Sequence, residues 1–216
     1  MCLDYNFDGD KFVTAGNDRL VRLYDDNKMT QVSTMKTDDP SFPGHDNRVF
    51  SVCFHQSMPN ILASGGWDSS VQFYDIRTSS ITGTVYGPHI CGDAIDLKDN
   101  TLLTGSWSNH SQVQLYDIRN YKLIKTVDWD KDMPNASTYC YSAQFSKDRL
   151  NTTYAVGCSN TNMVRMFDSE NGDQPVMNSL LLKTCYTVDY SMYGKYFAYG
   201  CGDGNVRILD LSRTIK

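Results

Sequence analysis

An all-β fold of repeated four-stranded units is what this sequence predicts, and three observations carry that prediction. The first is a recurring pair, an aromatic or aliphatic residue followed by Asp: Tyr24-Asp25, Tyr74-Asp75, Tyr116-Asp117, Phe167-Asp168 and Leu209-Asp210. The second is the spacing of those Asp residues, which runs 50, 42, 51 and 42. A base unit of 42 residues with two insertions of roughly nine accounts for all four intervals. The third is the segment before each pair: Val21-Arg22-Leu23, Val71-Gln72-Phe73, Val113-Gln114-Leu115, Val164-Arg165-Met166 and Val206-Arg207-Ile208. Apolar and polar residues alternate there with period two, as in a strand.

The remaining elements of each unit follow in order. Upstream lies a second short apolar run that ends in small residues, at Ala15-Gly16, Ser64-Gly65, Thr104-Gly105, Val156-Gly157 and Tyr199-Gly200. Small residues at that end let neighbouring sheets approach closely. Three residues before the Val, units 1, 2 and 5 place Asp18, Asp68 and Asp203 in a tight turn. Unit 2 shows four strands, at residues 49–54, 61–65, 71–76 and 81–86. They are separated by Met58-Pro59-Asn60, Gly66-Trp67-Asp68-Ser69 and Arg77-Thr78-Ser79-Ser80. No segment has helical periodicity. The units fall near residues 1–36, 44–86, 87–129, 138–183 and 184–216, and four-stranded units at this period are the blades of a β-propeller.

Composition narrows the function. The net charge is -5 and the isoelectric point near 5.2, so the surface repels phosphate backbones and nucleic acid is not an expected partner. No apolar run reaches the roughly 18 residues of a membrane span. Met1-Cys2-Leu3-Asp4 lacks the basic and apolar regions of a signal peptide, so the expected compartment is the cytoplasm, with no membrane association. The seven cysteines are odd in number and form no CxxC pair. Most sit in apolar runs such as Val52-Cys53-Phe54, as reduced, buried cysteines do. No clustered ligands suggest a metal, and no cofactor is expected.

Gly44-His45, Ser64, Asp68 and Tyr74-Asp75 together resemble the WD-repeat pattern, in which Gly-His opens a blade and Trp-Asp closes its third strand. The resemblance spans nearly the whole chain, although units 4 and 5 lack a clean Gly-His. It implies that His45, Ser64, Asp68 and Tyr74 form a hydrogen-bonded tetrad, with Tyr74 where Trp is usual. It also implies a closed ring. Five units with no closing strand predict a partial ring, belonging to a larger propeller or completed by another chain.

Two surfaces carry the functional expectations. Trp67 and Trp107 occupy second-to-third-strand turns on adjacent units, and in the family the insertions at residues 37–43 and 130–138 open on the same face. Tryptophan is enriched at binding hot spots, so an aromatic patch with His45 and Arg19 nearby is expected to grip a partner peptide. The alternative is that both rings pack between blades. On the opposite face, Asp75-Ile76-Arg77 and Asp117-Ile118-Arg119 resemble the double Asp-x-Arg box of WD-repeat substrate receptors, which docks on the adaptor of cullin-RING ubiquitin ligases. The plain alternative is an Arg that pairs with its Asp across the turn. Catalysis has no constellation to rest on: His45 fits the tetrad, His55 a strand turn, and His89 and His110 lie in loops. Gly202-Asp203-Gly204 is a blade turn with no helix after it, not a phosphate loop. The expectation is a non-catalytic protein-interaction scaffold, with a ubiquitin-ligase receptor or a cytoskeletal or ciliary component as alternatives.

Overall fold

The alternating segments form antiparallel strands in a computed structural model that describes residues 1–35, 44–129, 137–148 and 153–213. The first blade comprises β1 (Cys2–Tyr5), β2 (Lys11–Ala15), β3 (Val21–Asp25) and β4 (Thr30–Met35). The second comprises β5 (Val49–Phe54), β6 (Ile61–Gly66), β7 (Ser70–Asp75) and β8 (Ser80–Tyr86). The third runs through β9 (Ile95–Lys98), β10 (Thr101–Gly105), β11 (Val113–Asp117) and β12 (Lys122–Val127). The fourth holds β13 (Tyr139–Phe145), β14 (Thr153–Ser159), β15 (Met163–Asp168) and β16 (Gln174–Leu180). The fifth holds β17 (Cys185–Tyr190), β18 (Tyr196–Cys201) and β19 (Val206–Asp210). Each sheet is a meander whose neighbours in sequence are neighbours in space. In blade 2 the third strand stops at Asp75, one residue short of the expected end, because the Asp75 carboxylate accepts the Arg77 N–H at 2.9 Å and turns the chain there.

A bulge recurs between the third and fourth strands of four blades, at Leu23/Tyr24, Phe73/Tyr74, Leu115/Tyr116 and Met166/Phe167. The extra residue sharpens the local twist just before the aromatic-Asp pair, so the repeated motif marks a repeated backbone irregularity.

The core is divided among the seams between blades. Val13, Val21 and Leu23 of blade 1 pack with Val52, Phe54 and Leu62 of blade 2. Leu103, Val113 and Leu115 of blade 3 likewise meet Phe145, Tyr154 and Val156 of blade 4. The small residues ending the second strands make this closeness achievable. A Cβ on Gly157 would stand 2.7 Å from the Cys185 sulfur of the next blade. Carboxylates on the innermost strands tie blades together as well: Asp4 accepts the Phe54 N–H at 2.7 Å, and Asp96 accepts the Phe145 N–H at 2.8 Å.

The five blades form an incomplete ring. Among the described residues the fifth sheet has three strands, and its Val206 and Ile208 are 71% and 68% exposed where Val71 and Phe73 of blade 2 are buried.

Candidate protein-interaction surfaces

Antiparallel topology puts the second-to-third-strand turns and the connections between blades at one end of the ring, and the third-to-fourth-strand turns at the other. The two expected surfaces therefore lie at opposite ends.

At the first end the blade 2 tetrad sets the local geometry. His45 Nδ1 lies 2.6 Å from Asp68 Oδ2, and Nε2 lies 2.6 Å from Ser64 Oγ. Ser64 Oγ is 3.0 Å from the Tyr74 hydroxyl, which donates to Gln72 Oε1 at 3.0 Å. Burial pushes the Asp68 carboxyl up, but hydrogen bonds from His45 and Ser70 outweigh it and hold the group below its ordinary range. Asp68 is thus an ionised, acceptor-only partner, and Nδ1 carries the imidazole proton. The four residues implied by the family resemblance stand together. The His45 side chain is 0% exposed, however, so it is committed to the interior and is not presented to a partner.

The chain that leaves this tetrad carries Trp67. Its ring stacks on Phe50 (centroids 5.0 Å apart) and on His89 (6.2 Å). His89 leads on to Trp107 at 6.5 Å, and Trp107 to Tyr139 at 4.7 Å. One row of rings therefore crosses blades 2, 3 and 4. Its backbone is fixed within each blade unit: the Trp67 N–H donates to the Arg48 carbonyl at 2.9 Å and the Trp107 N–H to the His89 carbonyl at 2.8 Å. Trp67 Nε1 donates to Cys91 Sγ at 3.0 Å. Trp67 and Trp107 nonetheless remain 39% and 40% exposed. The two expectations for these rings are thus not exclusive, since each packs on one side and is open on the other.

Arg19 lies exposed in the blade 1 turn with φ +69°, a backbone region unusual for a side chain with a Cβ. The cation over the Trp67 ring is Arg48, 5.5 Å from its centroid. Sequence reasoning missed Arg48, Phe50, His89 and Tyr139. They lie near the connections between blades and come together only when the blades pack; the one available signal was Phe50, an aromatic at the outward position of its strand. Residues 37–43 and 130–136, expected on this face, lie outside the described residues.

At the opposite end the Asp-x-Arg turns are near copies. Arg77 Nε and Nη2 donate to the Asp75 carboxylate at 3.0 and 2.6 Å, and Arg119 grips Asp117 at 2.9 and 2.6 Å. Both arginines are about two-thirds exposed, at 69% and 68%. The hydrogen bonds from Arg119 hold the Asp117 carboxyl down at about 2. Among the described residues no group of three or more His, Cys, Asp or Glu side chains stands together as a metal site. No described helix is long and apolar enough to cross a membrane.

Repeated antiparallel blades, the second braced internally by a His-Ser-Asp-Tyr network, define a WD-repeat propeller, and comparison with known proteins agrees. The WD domain, G-beta repeat model matches residues 1–25 and 37–75, which supports a place for the chain among WD-repeat proteins. It is similar to Protein SOF1 of Saccharomyces cerevisiae, 26% identical over 95% of this chain and 39% of that protein. Human Coronin-2A is 24% identical over 95% of this chain and 40% of its own length. The Peroxisomal targeting signal 2 receptor of Schizosaccharomyces pombe is 27% identical over 53% of this chain and 35% of that protein. The chain thus spans about two fifths of the length of the first two relatives. WD-repeat proteins in general act as scaffolds for protein interaction.

Proposed function

We propose that this chain is a non-catalytic, intracellular scaffold that holds a partner's peptide segment on the aromatic row of blades 2 to 4. One observation carries the reading: Trp67 and Trp107 keep about two fifths of their surface open while backbone hydrogen bonds within their own blade units fix the chain beneath them. Rings held that way lose little conformational freedom on binding, and they offer large amphipathic area. The name of the fission-yeast relative, a receptor for a targeting signal, is in keeping with capture of a short segment.

A second reading, docking on a ubiquitin-ligase adaptor, is favoured by the twinned presentation of Arg77 and Arg119 on adjacent blades. Each spends one edge of its guanidinium on its own Asp and leaves the other outward.

One experiment separates the two. Affinity purification from cells compares the wild-type chain with Trp67→Ala/Trp107→Ala and with Arg77→Ala/Arg119→Ala. The tryptophan pair is expected to lower partner recovery at least tenfold, as loss of a hot spot does, with little change in melting temperature. A collapsed melting temperature with this pair shows that the rings are structural and sinks the first reading. Selective loss of a ligase adaptor with the arginine pair, from a wild-type association that itself weakens as salt rises, establishes the second.

A further inference from the structure

The position after the repeated Val faces into every blade, and the five blades treat its charge differently. It is occupied by Arg22, Gln72, Gln114, Arg165 and Arg207, opposite Thr14, Ser64, Thr104, Val156 and Tyr199 of the second strand. In blades 1 and 5 the arginine meets a carboxylate four residues earlier: Arg22 to Asp18 and Arg207 to Asp203, each at 2.6 Å. In blades 2 and 3 the residue is an uncharged glutamine that accepts a tyrosine hydroxyl, at 3.0 and 2.8 Å. Blade 4 keeps the arginine but has Thr161 where the carboxylate belongs.

Arg165 is also the most enclosed of the three arginines, only 5% exposed. Its Nη1 donates to the Trp129 carbonyl, and its guanidinium carbon lies 5.0 Å from the centre of the Trp129 ring. Among the described residues no carboxylate pairs with it. Arg165 Nε and Trp129 Nε1 are both buried without a hydrogen-bond partner.

A guanidinium does not shed its proton at any pH a protein survives, so burial cannot be relieved by neutralisation as it is for lysine. The Trp129 face offsets part of the charge, but a ring satisfies no N–H donor. Both unmet groups are donors and one is cationic, so the missing component is an anionic acceptor. The planar fork of arginine matches oxygens in pairs. We propose that Arg165 and Trp129 form a receptor for an oxyanion, a carboxylate or phosphate group brought to the seam of blades 3 and 4 at the end that carries the aromatic row.

The test is the melting temperature of the full chain titrated with inorganic phosphate, with acetate, and with chloride at matched ionic strength. A ligand that binds only the folded state raises the melting temperature with saturation. A saturable rise of several degrees is expected with phosphate or acetate and not with chloride. The anion that produces it identifies the group as phosphate or carboxylate. Arg165→Met should abolish the rise. Should that variant fold poorly, Thr161→Asp provides the carboxylate found in blades 1 and 5 and should abolish it with the fold intact. A wild-type chain indifferent to both anions, or an equal rise in Thr161→Asp, overturns the proposal. A melting temperature lowered by Asp130→Asn or Asp132→Asn, together with indifference to added anion, overturns it too by placing the counter-charge within the chain.

Discussion

In blade 2 the space beside the third strand holds His45, clamped between Asp68 and Ser64 at 2.6 Å on each side and closed by the Tyr74 hydroxyl. In blade 4 Trp129 lies against Phe167, the counterpart of Tyr74, at 5.7 Å, with Arg165 over its ring. Val156 stands where blade 2 has Ser64, and Thr161 where it has Asp68. Stacked rings surround the substitute, with Tyr154 and Phe167 at 5.2 Å. One blade is held by directed hydrogen bonds and the other by aromatic volume. The family's motif is therefore one solution to a packing requirement that a different residue, arriving from a different place in the chain, also meets.

If volume is what holds blade 4, removing it should cost more than breaking the blade 2 tetrad. Trp129→Ala deletes a fully buried ring and is expected to cost about 4 kcal/mol, read from urea unfolding. His45→Ala leaves Asp68 and Ser64 unpaired and should cost somewhat less, about 3 kcal/mol. A Trp129→Ala cost below that of His45→Ala would break the comparison.

How much of this was legible in the sequence follows from where each signal sits. The blades were readable because the strand alternation and the aromatic-Asp pair are local and recur. The blade 2 tetrad was readable because His45, Ser64, Asp68 and Tyr74 stand at the family's positions. The blade 4 solution was not, because Trp129 precedes β13 by ten residues and matches no motif position. Its role depends on packing against Phe167, which only the folded blade shows. Arg165 was visible merely as the polar member of an alternating pair. Its missing partner becomes apparent when Thr161 is set beside Asp18 and Asp203, a comparison across blades. The aromatic row is similar: Trp67 and Trp107 were evident, but the rings that join them come from other strands and connections.

Acid should separate the two regions next. The depressed Asp68 carboxyl lends blade 2 stability that is full above its unfolded value near 3.9 and is lost as pH falls through the lower folded value. The seam of blades 3 and 4 has the opposite sign. Burial raises Asp96 to about 7 against the pull of the Phe145 and Leu97 N–H donors, so stability is full at low pH and declines as pH climbs toward 7. Asp96→Asn keeps an acceptor for one of the two N–H donors but removes the titration, and it should flatten that decline. Asp68→Asn should flatten the loss on the acid side. Melting temperatures from pH 3 to 8 check both, and identical slopes in all three proteins would remove the electrostatic half of the comparison.

The smallest expected effect is the most specific. Thr161→Asp recreates in blade 4 the four-residue Asp-Arg spacing that blades 1 and 5 use at 2.6 Å. A carboxylate there meets a guanidinium that is already buried and already ordered, so the side-chain entropy that weakens exposed ion pairs is largely spent. The desolvation of Arg165 has likewise been incurred, and only that of the new carboxylate remains to oppose the attraction. A gain of about 1 kcal/mol in unfolding free energy is expected in buffers free of phosphate and carboxylate. In the Arg165→Met background the same substitution buries a carboxylate without a partner and should destabilise. The sign reversal between backgrounds distinguishes pairing with Arg165 from a general effect of Asp in a turn, because two residues in contact are not additive. An equal effect in both backgrounds would mean that the new carboxylate never reaches the guanidinium. Blade 4 would then be held by Trp129 alone, with the charge of Arg165 met elsewhere.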